Sequence, residues 1–159
     1  MKIYEALAEV KTLKTTADEL SKFRESSLAY DADSQPDFKF DQLSEQIDKT
    51  MERIADLKIA IQFANLETKV TAGDKEMTLA RAILELGAIR LKLSSLSSMA
   101  EENRRGRLFA NERRSKDEVP QRTQKSKADL LEMQLLYRKR RDLLDSVIQE
   151  ANHKIEIMA

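Results

Sequence analysis

The fold is decided by the stretch from Asp41 to Thr68, which reads DQLSEQIDKTMERIADLKIAIQFANLET. Apolar side chains and two threonines recur there in strict steps of four and three, at Leu43, Ile47, Thr50, Ile54, Leu57, Ile61, Ala64 and Thr68. This spacing places the side chains along one side of an α-helix. A heptad pattern of this kind predicts a long helix that packs lengthwise against other helices.

Three further segments carry helical spacing. The first lies at about residues 2–29, and its stripe is Ile3, Leu7, Val10, Leu13, Ala17, Leu20 and Phe23. The third lies at about 78–103, with Leu79, Ala82, Leu86, Ile89, Leu93, Leu96 and Ala100. The fourth lies at about 126–157, with Leu130, Met133, Tyr137, Leu144, Val147, Ala151 and Ile155. With the second helix at 40–68, the pattern predicts a mainly all-α fold, a coiled-coil-like bundle of long antiparallel helices in one domain, 1–159.

The connections between the helices differ in character. YDADSQPDF, from Tyr30 to Phe38, predicts a turn or irregular arm because it contains Pro36. KVTAGDKEM, from Lys69 to Met77, predicts a short β-hairpin or tight loop, after which Thr78 caps the third helix. An irregular basic segment is predicted at 104–125.

The third helix is apolar over more than one side. Ile83, Leu84 and Leu91 widen its stripe beyond what one neighbouring helix would cover. A chain of this length drawn out into long helices has a small core and few residues with which to cover these side chains. We therefore predict that it forms a homo-oligomer.

Composition excludes several classes of protein. Acidic and basic residues balance at 28 each, so no overall field draws the chain to nucleic acid, and there is no Cys. The apolar runs are shorter than a membrane-spanning helix needs, and the N-terminus does not resemble a signal peptide. We therefore expect a cytoplasmic protein that does not associate with a membrane. With one His, no Gly-rich phosphate loop and no nucleophile motif, we predict no enzyme, metal or cofactor.

The basic segment is the candidate binding region. Between Arg104 and Lys127 it holds nine basic residues against three acidic ones, a net charge of +6. Arginine binds phosphate in a bidentate manner, and Phe109 offers a ring for stacking. The predicted ligand is small, phosphorylated and nucleotide-like, while extended nucleic acid is disfavoured; the alternative is a solvated loop or helix end. The candidates are Arg104, Arg105, Arg107, Phe109, Arg113 and Arg114.

Three amides and hydroxyls complete the candidate site. Asn65 and Thr68 lie at the end of the second helix, and Asn152 lies near the end of the fourth. Short polar side chains at these places face a ligand or cap a helix, and both interpretations stay open.

Four segments carry a resemblance to a known family. They are EALAEVKTL (5–13), FANLET (63–68), LGAIRLKLSSL (86–96) and RRDLLDSVIQEAN (140–152). In this order they resemble the septicolysin-like family of small helical bacterial and phage proteins. Relatives carry Trp where this chain has His153, and ERRSKDEV (112–119) matches the family's Arg-Ser-Glu stretch only loosely. The resemblance implies a helical fold and no established activity.

Two hypotheses follow for the function. In the first, the oligomer binds and sequesters a nucleotide-like ligand through arginines at subunit interfaces, as a phage anti-defence sponge would. In the second, the chain is a structural coiled-coil adaptor or assembly protein without a small-molecule ligand.

Overall fold

The computed structural model describes residues 1–29, 33, 38–110 and 124–158, with the side chains of residues 100–110 outside this description. The elements are, in chain order, α1 (Ile3–Ser26), α2 (Phe40–Glu67), β1 (Lys69–Ala72), β2 (Lys75–Thr78), α3 (Leu79–Ala110) and α4 (Lys127–Lys154). The mainly helical prediction is confirmed, and so is the hairpin. The turn predicted at Pro36 lies outside the described residues.

The basic segment begins differently from the prediction. α3 continues to Ala110, seven residues into the stretch that was predicted to be irregular. The residues Glu101, Glu102, Arg104, Arg105 and Arg107 are good helix formers, so one glycine at Gly106 does not stop the helix. The rest of the predicted irregular segment, up to 123, lies outside the described residues.

Internal contacts divide the chain into two compact units, Met1–Lys69 with Gln149–Ala159, and Val70–Ile148. In the first unit α1 packs against α2. An ion pair from Arg53 Nε to Glu9 Oε1, 2.9 Å long, joins the two helices. Near their other ends the rings of Phe23 and Phe38 lie 5.2 Å apart between centroids. Prediction of a single domain stays a prediction.

The heptad positions of α2 are confirmed by burial. Leu43, Ile54, Leu57 and Ile61 are buried, and the other four positions are half-buried. The acidic residues between them are exposed, as expected of a solvated face. The packing side of α2 is therefore the side that its spacing predicts.

The second unit contains the hairpin, α3 and α4 up to Ile148. Thr78 Oγ1 accepts a hydrogen bond from the Arg81 N–H at 3.2 Å, which confirms the predicted N-cap of α3. Ser126 and Asp129 exchange hydrogen bonds of 3.1 and 2.9 Å at the start of α4. This reciprocal capping box explains why the helix starts there.

Arg140 of α4 connects the elements of this unit. Its Nε donates to Glu85 Oε1 of α3 at 2.8 Å, and its Nη1 donates to the carbonyl oxygen of Ala72 in β1 at 2.8 Å. A second ion pair joins Arg90 of α3 to Asp145 of α4 at 2.9 Å. The hairpin and the two helices are thus joined by charged side chains.

Candidate functional site

The predicted anion-binding residues fall in two places. Arg104, Arg105, Arg107 and Phe109 lie in the final turns of α3, where the backbone is helical. Arg113 and Arg114 lie outside the described residues.

The predicted polar site residues are not joined to one another. The backbone N–H of Thr68 donates to the Ala64 oxygen at 2.9 Å and closes α2. Asn65 Oδ1 is buried and has no hydrogen-bond partner among the described residues. Asn152 is half-buried in the last turn of α4. Within the described part of the chain, no hydrogen bond links Asn152 to Asn65 or Thr68.

The two ends of the chain pair with each other in the first unit. The Ile3 N–H donates to the Ile155 oxygen at 3.1 Å, and the Ile157 N–H donates to the Met1 oxygen at 2.7 Å. Lys2 and Glu156 face each other in this antiparallel bridge. Residues 155–157 are therefore held in an extended conformation beside the start of α1. Sequence patterning did not predict this pairing, because the contact spans almost the whole chain.

A groove of about 400 Å³ lies between this extended segment and the end of α2. The α2 side is formed by Ala60, Phe63, Ala64, Glu67 and Thr68, which share one helix face. The other side is formed by Ile155, Glu156, Ile157 and Met158. Phe63 is 62% exposed and Met158 is 99% exposed. The groove thus presents apolar surface that the described part of the chain leaves exposed.

The charged side chains of this groove are both acidic. Glu67 and Glu156 line it, and no Lys or Arg among the described residues does. An anion beside Thr68 would meet these two carboxylates, which repel it. The groove therefore fits a cationic or apolar ligand better than the phosphorylated ligand that the sequence predicts for Thr68.

A small surface cluster surrounds the single histidine. The rings of His153 and Tyr4 lie 4.4 Å apart between centroids. Tyr4 Oη donates to Glu5 Oε1 at 3.2 Å, and this carboxylate raises the pKa of Tyr4. Glu5 in turn accepts from the Lys2 N–H, which lowers the pKa of Glu5. These shifts have local causes at the start of α1 and do not assemble an acid–base pair around His153.

The second feature of interest is what we term the outer face of α3. It consists of the uncharged residues Ala80, Ile83, Leu84, Gly87, Ala88, Leu91, Ser94, Ser95 and Ser98. At 3.6 residues per turn these lie within an arc of roughly 140°, opposite the buried positions of α3. Leu84 is 68% exposed and Leu91 is 74% exposed. An uncharged exposed face is unusual in a chain of which 35% is charged.

The described residues form neither a metal-binding cluster nor a membrane-spanning helix. Among the described residues, no group of three or more His, Cys, Asp or Glu side chains could hold a metal ion. The helices in the described part of the chain are all too short in apolar sequence to cross a membrane.

Comparison with known proteins locates the chain in a family. Its fold is similar to that of a functionally unknown conserved protein from Corynebacterium diphtheriae, with a TM-score of 0.77, 24% sequence identity and 99% of each chain covered. No curated protein matches it. A family model, Family of unknown function (DUF6847), matches residues 10–157. The chain therefore belongs to the DUF6847 family, whose function is unknown.

Proposed function

We propose that the protein is a non-enzymatic helical scaffold that self-associates through the outer face of α3. The observation that carries the proposal is the exposure of Leu84 and Leu91 on a face without charge. Each exposed Leu side chain gains roughly 1.5–3 kcal/mol when it is transferred fully from water to an apolar contact. A second helix laid along this face would provide that contact.

Gly87 supports close packing at this face. A glycine inside a helix costs roughly 1 kcal/mol relative to alanine. A Cβ added at Gly87 would meet no atom of the described residues within 4 Å, so no contact among them requires a glycine there. Packing of a second helix would explain the glycine, because a residue without a side chain lets two helix backbones come close.

The order of residues along the face suits a two-fold axis. Leu84 and Leu91 lie three residues to either side of the Gly87–Ala88 pair. Two antiparallel copies that cross at Gly87 and Ala88 would bring Leu84 of one copy beside Leu91 of the other. Because the same patch then serves both subunits, a closed dimer results.

Sedimentation velocity of the variant Leu84→Glu/Leu91→Glu tests the proposal. We expect the wild type to form a discrete oligomer and the variant to be a monomer with the same helical circular dichroism. Met51→Glu is the matched control, since Met51 is 53% exposed on α2. An oligomer that survives the double substitution, or a wild-type monomer at all concentrations, would refute the proposal.

A second candidate function is the binding of a small nucleotide-like anion by the basic segment. It is favoured by the nine basic residues between Arg104 and Lys127, which give this segment a net charge of +6. In an oligomer, each copy would contribute its own arginines, and the assembly would sequester the ligand. One setting for this activity is a phage protein that sequesters a nucleotide signal of the host defence. We also propose that the chain is related to the septicolysin-like family.

Native mass spectrometry of gently purified protein tests the second candidate. A discrete oligomer that releases a phosphorylated molecule is the expected result. The single variants Arg105→Ala, Arg107→Ala, Arg113→Ala and Arg114→Ala should then lose that molecule while the oligomer persists. Undiminished loading of all four variants would count against it and leave the scaffold without a small-molecule ligand.

A further inference from the structure

We propose that the groove at the end of α2 is a docking site for an extended, cationic and apolar segment of a partner protein. This site is separate from the outer face of α3 and does not depend on self-association. The class of partner follows from three properties of the groove: its charge, its apolar surface and the free edge of its extended wall.

Charge selects a basic partner. Glu67 lies on the helical wall and Glu156 on the extended wall, so a segment in the groove has a carboxylate on either side. Both residues are exposed, and neither makes an ion pair with a described residue. Lysine or arginine side chains of a bound segment would meet a complementary charge on each wall.

Apolar surface provides the affinity. Ala60 and Ala64 have small side chains and leave space between the walls, while Phe63 and Met158 are largely exposed at the groove. Phe63 is continuous along α2 with two further exposed residues, Ile59 and Leu66, spaced four and three residues away. Apolar side chains that alternate with the basic ones would cover this surface.

The extended wall has a backbone edge that is available for pairing. In an antiparallel bridge, alternate residues direct their N–H and C=O groups to opposite sides. Ile155 and Ile157 bond to residues 1–3, so Glu156 directs its groups to the other side. Among the described residues these groups of Glu156 have no backbone partner. A partner strand can add there, as in β-strand addition.

Titration with the peptide Lys-Leu-Lys-Leu-Lys-Leu-Lys, followed by isothermal calorimetry and amide NMR spectra, tests the proposal. We expect binding that weakens with salt, and hydrogen-exchange protection of the Glu156 amide. The peptide Glu-Leu-Glu-Leu-Glu-Leu-Glu has the same length and apolar pattern but the opposite charge, and it should not bind.

Three variants locate the binding. Glu67→Lys/Glu156→Lys should weaken it by at least about tenfold, since two attractive pairs become repulsive. Phe63→Ser should also weaken it, and its exposed position makes it compatible with the fold. The control Glu19→Lys/Glu132→Lys changes net charge equally at exposed positions elsewhere and should bind like the wild type.

Three results would overturn the proposal. They are equal binding by wild type and Glu67→Lys/Glu156→Lys, binding without protection of Glu156, and loss of the oligomer in Glu67→Lys/Glu156→Lys. The last result would mean that a second copy of this chain occupies the groove. Because the peptide test does not require an oligomer, it can fail while self-association through α3 stands.

Discussion

Arg140 shows how one side chain can hold a small hairpin in place. Its guanidinium donates to both the Glu85 carboxylate and the oxygen of Ala72, a residue that is fully buried. The side chains of Arg140 and Glu85 are 25% and 29% exposed, so solvent screens their ion pair only in part. A buried carbonyl that loses its donor costs free energy because it cannot turn to water instead.

The first prediction concerns this contact. Arg140→Met keeps an unbranched apolar side chain but removes the guanidinium and both of its hydrogen bonds, and we expect the free energy of unfolding to fall by about 2–3 kcal/mol. Urea unfolding followed by circular dichroism measures the change. Arg138→Met is the control, because Arg138 is exposed on the same helix and should alter the unfolding free energy by less than about 0.5 kcal/mol. Equal effects of the two substitutions would contradict the role given to Arg140.

The second prediction concerns pH. The hydrogen bond from Arg140 lowers the pKa of Glu85 below its ordinary value of 4.5. A carboxyl whose pKa is lower in the folded state stabilises the fold above its unfolded pKa, and this stabilisation is lost as pH falls through the folded pKa. The melting temperature of the wild type should therefore fall more steeply below about pH 4.5 than that of Glu85→Gln. If the melting temperatures of the two proteins fall in parallel down to about pH 2, Glu85 contributes nothing to the pH dependence of stability.

Among the elements, α2 follows its sequence pattern more closely than α1 does. All eight heptad positions of α2 are buried or half-buried. In α1, Leu7 and Phe23 were predicted in the core but are exposed, and Ala6 is buried instead. A small alanine allows close contact between elements, and spacing alone does not distinguish Ala6 from its larger neighbour. Periodicity identifies a helix, but the partner surface decides which side chains are buried.

Contacts between distant parts of the sequence are the features that patterning could not predict. The ends of the chain pair through Ile3 and Ile155, and Arg140 bonds to a carbonyl 68 residues away. The groove at α2 depends on the first of these contacts. By contrast, the caps at Thr78 and Ser126 depend on residues within three positions, so the starts of α3 and α4 could be predicted.

The third prediction concerns the hairpin as an element. Gly73 has a φ of +69°, which side-chain-bearing residues rarely adopt. A Cβ at Gly73 would lie 3.6 Å from Leu143 Cδ2, an ordinary contact, so Gly73→Ala should cost only the backbone term of about 1–2 kcal/mol. Urea unfolding measures it. Gly87→Ala is the matched comparison: in the monomeric Leu84→Glu/Leu91→Glu background it should raise the unfolding free energy, because alanine favours a helix. If both substitutions changed the free energy of unfolding in the same direction, this account would be contradicted.

At the scale of the whole molecule, each long helix has one buried side, while large apolar residues remain exposed on other sides of these helices. Leu84 and Leu91 of α3 and Leu135 and Leu136 of α4 are each more than half exposed. Scattered exposed leucines are ordinary on a protein surface. The outer face of α3 differs because its polar residues are all serines and no charge interrupts it over 19 residues, Ala80 to Ser98. A face of this kind is typical of a surface that another helix covers.

The fourth prediction follows from mass action. If the oligomer is folded more stably than the monomer, the melting temperature must rise with protein concentration, because association draws the equilibrium toward the folded state. We expect such a rise for the wild type between about 1 and 100 μM, and for Met51→Glu. Leu84→Glu/Leu91→Glu should melt at one temperature throughout this range, since it has no association to lose. If the melting temperature rises equally for all three proteins, the subunit contact lies elsewhere. If it is constant for all three, the exposed face of α3 contributes nothing to stability through self-association.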